Sequence, residues 1–96
     1  MLQIEWKPAA RADLMKIADF IAADSPVNAA LFASDLQRKV KQLSTYPEMV
    51  RLGRKRGTRE MVVHPNYVVI YRVIKKSGVV EILRIKHAAE RWPTQN

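Results

Sequence analysis

The strongest constraint on this chain is a change of rhythm about halfway along it. After residue 57 the sequence breaks into three short runs rich in Val, Ile and Tyr: TREMVVH (58–64), YVVIYRVIK (67–75) and VVEILRIKH (79–87). Pro65-Asn66 and Lys76-Ser77-Gly78 separate them. Connections that short cannot carry a crossover helix, so consecutive strands must turn back on one another as an antiparallel meander. A helical layer with an apolar stripe must bury it on one face of such a sheet.

The first half supplies that layer. Residues 2–6, LQIEW, alternate like a short strand. Pro8 suits the first turn of a helix. From Pro8 to Ala23 the apolar residues Ala10, Leu14, Ile17 and Ile21 fall at helical spacing, with Arg11, Asp13 and Lys16 largely off the stripe. Ser25-Pro26 then reads as a cap followed by a first helical residue. It predicts a second helix from there to about Tyr46, with the stripe Phe32, Leu36, Val40 and Leu43 and an exposed Asp35–Lys39 pair. Pro47 stops it. The predicted order is β-α-α-β-β-β: one α+β domain over residues 1–96, a helical hairpin packed on a small, mainly antiparallel sheet. The middle run is apolar from Tyr67 to Ile74 at nearly every position, which predicts cover on both faces, the second of them from a partner.

Charge narrows the partner. The net charge is +8, and residues 1–48 hold six basic and six acidic residues against eleven and three in residues 49–96. A cationic half points to an anionic partner, nucleic acid or an acidic protein segment. Five of those cations, Arg51, Arg54, Lys55, Arg56 and Arg59, crowd into RLGRKRGTR (51–59), read as a loop. Few aromatic residues stand near it to stack on bases. No apolar run is long enough to span a bilayer, and the N-terminus lacks the order of a secretion signal, so a cytoplasmic protein without membrane contact is expected. With no cysteine and two isolated histidines, neither metal nor cofactor is expected.

GTREMVVHPNYVVIYRV (57–73) and VEILRIKHAAERWP (80–93), in this element order, resemble the RelE/ParE superfamily, the toxins of bacterial type II toxin–antitoxin modules. The likeness covers essentially the whole chain. It implies the same two-layer fold, a cognate antitoxin with an acidic or amphipathic segment, and growth inhibition of the plasmid-stabilising kind. It does not imply one activity. RelE-like members cleave mRNA on the ribosome, and ParE-like members poison DNA gyrase.

Metal-free RNA cleavage needs an activated 2′-OH, a neutralised phosphate and a protonated leaving oxygen. The resemblance implies that RelE-type toxins draw these from a Lys-x-Lys pair on the first meander strand, an Arg after the Tyr of the next, and Arg and Tyr at the C-terminal end. Here those positions read Arg59 and Met61, then Val68, then Ala88 for the basic residue beyond the last strand, and no Tyr follows Tyr71. A YoeB-like branch uses a His where His87 stands, but Val68 and Ala88 again replace its companions. Strand parity sets Arg84 and Lys86 on one face and Leu83, Ile85 and His87 on the other, unless a bulge intervenes. His87 is therefore read as a structural group at a core edge, and His64 as part of a His-Pro-Asn turn. The stretch RIKHAAERWP (84–93) carries cations with no carboxylate or Tyr free beside them.

The expectation is thus a ParE-like toxin with no favoured catalytic residue. Arg51, Arg54, Lys55, Arg56, Arg59, Arg84, Lys86 and Arg91 are the candidate contacts for antitoxin or target, with gyrase the implied target. The rival is a ribosome-dependent mRNA endonuclease using Arg59, Arg84 and His87. A third reading is an antitoxin-binding module without toxicity. Arg72 is expected to pair with Glu60 or Glu81. Trp6 is expected to pack where the first strand meets the sheet, and Trp92-Pro93 to pin the tail.

Overall fold

The computed structural model describes residues 1–48 and 57–89. Their order is β1 (Gln3–Trp6), α1 (Pro8–Asp24), α2 (Pro26–Lys41), a 3₁₀ turn (Gln42–Ser44), β2 (Arg59–His64), β3 (Tyr67–Ile74) and β4 (Val79–His87). The sheet runs β1-β4-β3-β2, with β1 parallel to β4 and the other pairs antiparallel. The β-α-α-β-β-β order and the α+β architecture hold, with two differences of extent. The second α-helix stops at Lys41 and tightens into the 3₁₀ turn, which still buries Leu43. The strand β3 ends at Ile74, leaving a four-residue turn in which Gly78 adopts φ +68°, a backbone conformation that favours glycine.

A single residue links the helices. The Ser25 N–H closes α1 on the Ile21 carbonyl at 2.9 Å, and its Oγ accepts from the Asn28 N–H at 3.1 Å to open α2. That makes the connection too short for anything but a hairpin. Both helical stripes then face the sheet. Ala10, Phe32, Leu36, Val40 and Leu43 join Met61, Val63, Val69, Tyr71, Val80, Ile82 and Ile85 in one core, flanked by Leu14, Ile17, Ile21 and Trp6. Lys39 Nζ reaches the Val63 carbonyl at 2.9 Å, and Tyr71 Oη donates to the Pro47 carbonyl at 2.6 Å. Burial pushes the Tyr71 phenol up to about 12, so it stays a neutral donor.

Two expectations change. Along β4 the pairing steps from Ile70–Arg84 to Tyr71–Ile82, so Leu83 is an extra residue with no partner on β3. Val80 and Ile82 join the core before the bulge and Ile85 after it, while His87 at the strand end is exposed. Leu83 therefore does not belong with Ile85 and His87, as strict alternation had it. The second change concerns the other face. Val68 and Ile70 alternate with the core residues of β3, yet they are only 6% and 3% exposed within the chain itself. No partner is needed to bury them. Arg72 is paired as expected: its Nε meets Glu81 Oε1 at 2.6 Å across the β3–β4 ladder, and Lys7 Nζ stands 3.6 Å from the other oxygen.

Candidate functional site

The site follows from where β1 stops. It accompanies β4 only along Val79–Ile82. At Lys7, whose N–H binds the Ile82 carbonyl at 3.0 Å, the chain turns into α1. Beyond that point the edge of β4 meets a helix instead of a strand, and Asp13 does locally what a strand would do. Its Oδ2 accepts the Ile85 N–H at 2.9 Å and Arg84 Nε at 2.7 Å, while Oδ1 accepts Arg84 Nη2 at 3.0 Å. Burial pushes the Asp13 carboxyl up, but the Arg84 fork, the Ile85 amide and the field of Lys86 outweigh it and hold the group below the usual carboxylate range. The Asp13 side chain is 14% exposed and that of Arg84 is 43% exposed, so a dry anion is matched to a half-wet cation.

Next to this clasp is a cleft of about 200 Å³ lined by Asp13, Lys16, Ile17, Tyr67, Arg84, Ile85, Lys86 and His87. Tyr67 separates it from a larger trough of about 540 Å³ under the helical hairpin, lined by Phe20, Ile21, Leu31, Phe32, Asp35, Val63, His64 and others. Phe20 and Leu31 expose 75% and 63% of their surface there, so part of its lining is apolar and open to solvent. The two spaces differ in chemistry, one cationic and one apolar. A row of rings runs through both: Phe32 against His64 and Tyr67, and Tyr67 against His87, with centroids 5.3–5.7 Å apart in edge or tilted geometries.

Of the residues singled out in the sequence, Arg84, Lys86 and His87 meet in the small cleft. Arg59 does not join them. It pairs with Tyr71, while His87 pairs with Tyr67 at the far end of β3, four residues or about 13 Å along the strand. Arg59 faces Glu48 instead, at 3.9 Å. Arg51, Arg54, Lys55, Arg56, Arg91 and the Trp92-Pro93 pair lie outside the described residues. The expectation of cations with no carboxylate or Tyr beside them is corrected: Asp13 grips Arg84, and the Tyr67 ring packs on His87. Asp13 is 71 residues from Arg84 and sits on a helix among other charges, so nothing local marked it. Tyr67 was visible only as the first residue of a strand. Among the described residues no group of three or more His, Asp or Glu side chains is placed to hold a metal ion, and no helix is long and apolar enough to cross a membrane.

A helical hairpin on a four-stranded sheet, with a cationic strand end beside an apolar trough, defines a small toxin fold of the RelE/ParE superfamily. Residues 4–92 match the family described as the ParE toxin of the type II toxin–antitoxin system, parDE. The chain is 43% identical over 89 residues to Toxin RelE2 of Caulobacter vibrioides, covering 93% of this chain and 98% of that one. It is 36% identical over 92 residues to the putative toxin Y4kP of Sinorhizobium fredii, covering 95% and 93%. Among solved structures, a chain of the chromosomal ParDE system of P. aeruginosa superposes with a TM-score of 0.78 at 25% identity, covering 91% of this chain and 96% of that one. A chain of the intact E. coli RelBE toxin–antitoxin complex superposes with a TM-score of 0.67 at 16% identity, covering 95% and 100%; that likeness is one of fold. The chain belongs to the ParE toxin family of type II toxin–antitoxin systems.

Proposed function

We propose that the chain is a ParE-like growth inhibitor that acts in the cytoplasm on DNA gyrase without cutting a nucleic acid, and that its antitoxin neutralises it by lying along the trough and the adjoining cleft. The observation that carries the non-cleaving part is the Asp13 clasp. A phosphate clamp needs a guanidinium fork presented to the substrate; here two of its nitrogens are turned to Asp13. Arg59, the other cation a cleavage site would draw on, stands opposite Tyr71, about 13 Å along β3 from His87. The apolar trough beside a cationic cleft suits a segment that is apolar along one stretch and acidic along the next. Lys86 adds to that attraction. The likeness to a ParDE chain supports the ParE-like side of the superfamily, and gyrase is the target that this resemblance implies.

The ribosome-and-mRNA reading has its own observation. Lys16, Arg84, Lys86, Tyr67 and His87 do meet in one cleft, and a relative bears the name RelE2. A supercoiling assay with purified gyrase separates the readings. Inhibition by the free chain, reversed by the protein of the neighbouring reading frame, is expected, with mRNA in translated frames left intact. Unaffected gyrase together with cut mRNA would establish the endonuclease. Neither effect, with tight antitoxin binding, would leave a binding module without toxicity.

A further inference from the structure

The chain has two histidines, and the fold brings both to one end of the sheet. His64 closes β2, and the Asn66 N–H donates to its Nδ1 at 3.1 Å. His87 closes β4, and the Ala89 N–H donates to its Nδ1 at 3.1 Å. Between them the Ala88 N–H binds the Asn66 carbonyl at 2.7 Å, joining the two turns. Tyr67 packs on both imidazoles, and Phe32 packs on Tyr67 and His64. Each turn therefore uses a lone pair on an imidazole Nδ1. A neutral ring supplies it, with its proton on Nε2. A protonated ring has no lone pair, so a backbone N–H would face another N–H at both places.

We infer that His64 and His87 form a pH-sensitive latch at the end of the trough. Neutral, they hold the β2–β3 turn and the exit of β4 together around Tyr67. Protonated, both turns let go, and the wall between trough and cleft loosens. The regulatory consequence, weaker seating of the antitoxin on acidification, rests on the functional reading above; the latch itself does not.

The surrounding charges favour this behaviour. Around His87 stand Lys16 and Asp13 of α1, and Arg84 and Lys86 of β4: three cations and one anion. On the His64 side, α2 contributes Asp35 and Lys39, and Lys39 Nζ is held by the Val63 carbonyl and, at 3.3 Å, by Asp35. Asp35 is kept below the ordinary carboxylate range by its bonds to Arg38 and Lys39, and Asp13 by the balance described above. Both carboxylates stay ionised under mild acidification. A proton on either ring thus adds positive charge to an end where the described side chains already carry more cations than anions.

The test is amide hydrogen exchange by NMR on the full chain, from about pH 7.5 to about pH 5.5, beside a variant with both His64→Asn and His87→Asn. Asn Oδ1 sits where Nδ1 does and accepts the same backbone N–H without titrating. In the wild type, protection at Asn66, Ala88 and Ala89 is expected to fall about fivefold or more, the contribution of one hydrogen bond, while Leu36 and Val40 keep theirs. The Asn variant is expected to stay flat. Constant protection in the wild type, or an equal fall in the Asn variant, would overturn the latch. Antitoxin affinity, measured on both proteins at both pH values, is expected to drop with acid for the wild type alone. A latch that opens with no change in affinity would overturn the regulatory half and the seating of the antitoxin in this trough, and leave the latch standing.

Discussion

The two halves of β4 are made differently. Val79–Ile82 runs between β1 and β3, with Val80 and Ile82 fully buried against the helices. Backbone pairing on both edges and apolar packing on one face fix this half, and nothing in it titrates apart from Glu81, which Arg72 holds as a carboxylate. From Leu83 to His87 the strand keeps β3 on one edge and Ile85 in the core, but it has lost β1 and gained a bulge: Asp13 takes the Ile85 N–H on the other edge, and the His87 and Tyr67 rings close the end. The first half is held by pairing on both edges and by area removed from water, the second by pairing on one edge and by charge and side-chain hydrogen bonds whose strength follows pH and salt. A docking or effector surface belongs on the second kind of structure, because it can be altered without unfolding the sheet.

Four substitutions sharpen that contrast. Ile82→Ala in the first half removes a fully buried side chain and is expected to lower unfolding free energy by about 2–5 kcal/mol, read from the denaturant midpoint. A loss under ~1 kcal/mol would mean that β1 and α1 do not bury this half as described. In the second half, Asp13→Asn weakens three hydrogen bonds and an ion pair. The expected loss near neutrality is about 1–2 kcal/mol, limited because Arg84 is half-exposed and water replaces part of the bond.

The pH dependence of that loss has a definite sign. Asp13 is held below its ordinary value of 3.8 in the folded chain. Its contribution is therefore complete above the unfolded value and disappears as pH falls through the lowered one. The stability gap between wild type and Asp13→Asn should be constant at neutral pH and close below about pH 4. A gap that widens in acid would contradict the clasp.

Ser25→Ala tests the hairpin that carries Asp13 into place. Losing the Asn28 cap is expected to lower stability by about 0.5–2 kcal/mol, and an unchanged midpoint would mean that the cap does not hold α2. The smallest effect falls on Arg72→Ala. Its bond to Glu81 is short, but its side chain is 51% exposed, so under ~1 kcal/mol is expected. A double-mutant cycle with Glu81→Gln measures the pair.

The sequence was informative wherever one local rule had no rival. Ser25-Pro26 set the turn between helices because a cap and a first-turn proline agree there. The two stripes set the core because spacing alone decides which side chains share a helix face. The tight turns set the meander. The strand end was harder to read for a physical reason. Its bulge at Leu83 falls just past the last β1 pair, Trp6–Ile82, and its anchor, Asp13, is distant along the chain. Parity over 79–87 put Ile85 with the core correctly and misplaced Leu83, since one inserted residue resets the alternation; it also set His87 apart from Arg84 and Lys86, which the strand end brings into one cleft with it. Arg84 was recognised as a cation at the strand end, but its carboxylate could not be seen, because nothing in RIKHAAERWP refers to residue 13. The trough likewise arises from α1, α2 and the β2–β3 turn together, and Phe20 and Leu31 look unremarkable in their own helices.

The central claim is that the end of β4 is a docking end and not a catalytic one. The most direct measurement is growth arrest by His87→Gln against wild type at matched expression, with cellular mRNA followed in the same cultures. Loss of an acid–base histidine typically removes ~10²–10⁴-fold of rate. The account predicts that His87→Gln keeps arrest nearly intact and that neither protein cuts mRNA in translated frames. A folded His87→Gln chain that no longer arrests growth, beside a wild type that cuts mRNA, would contradict it.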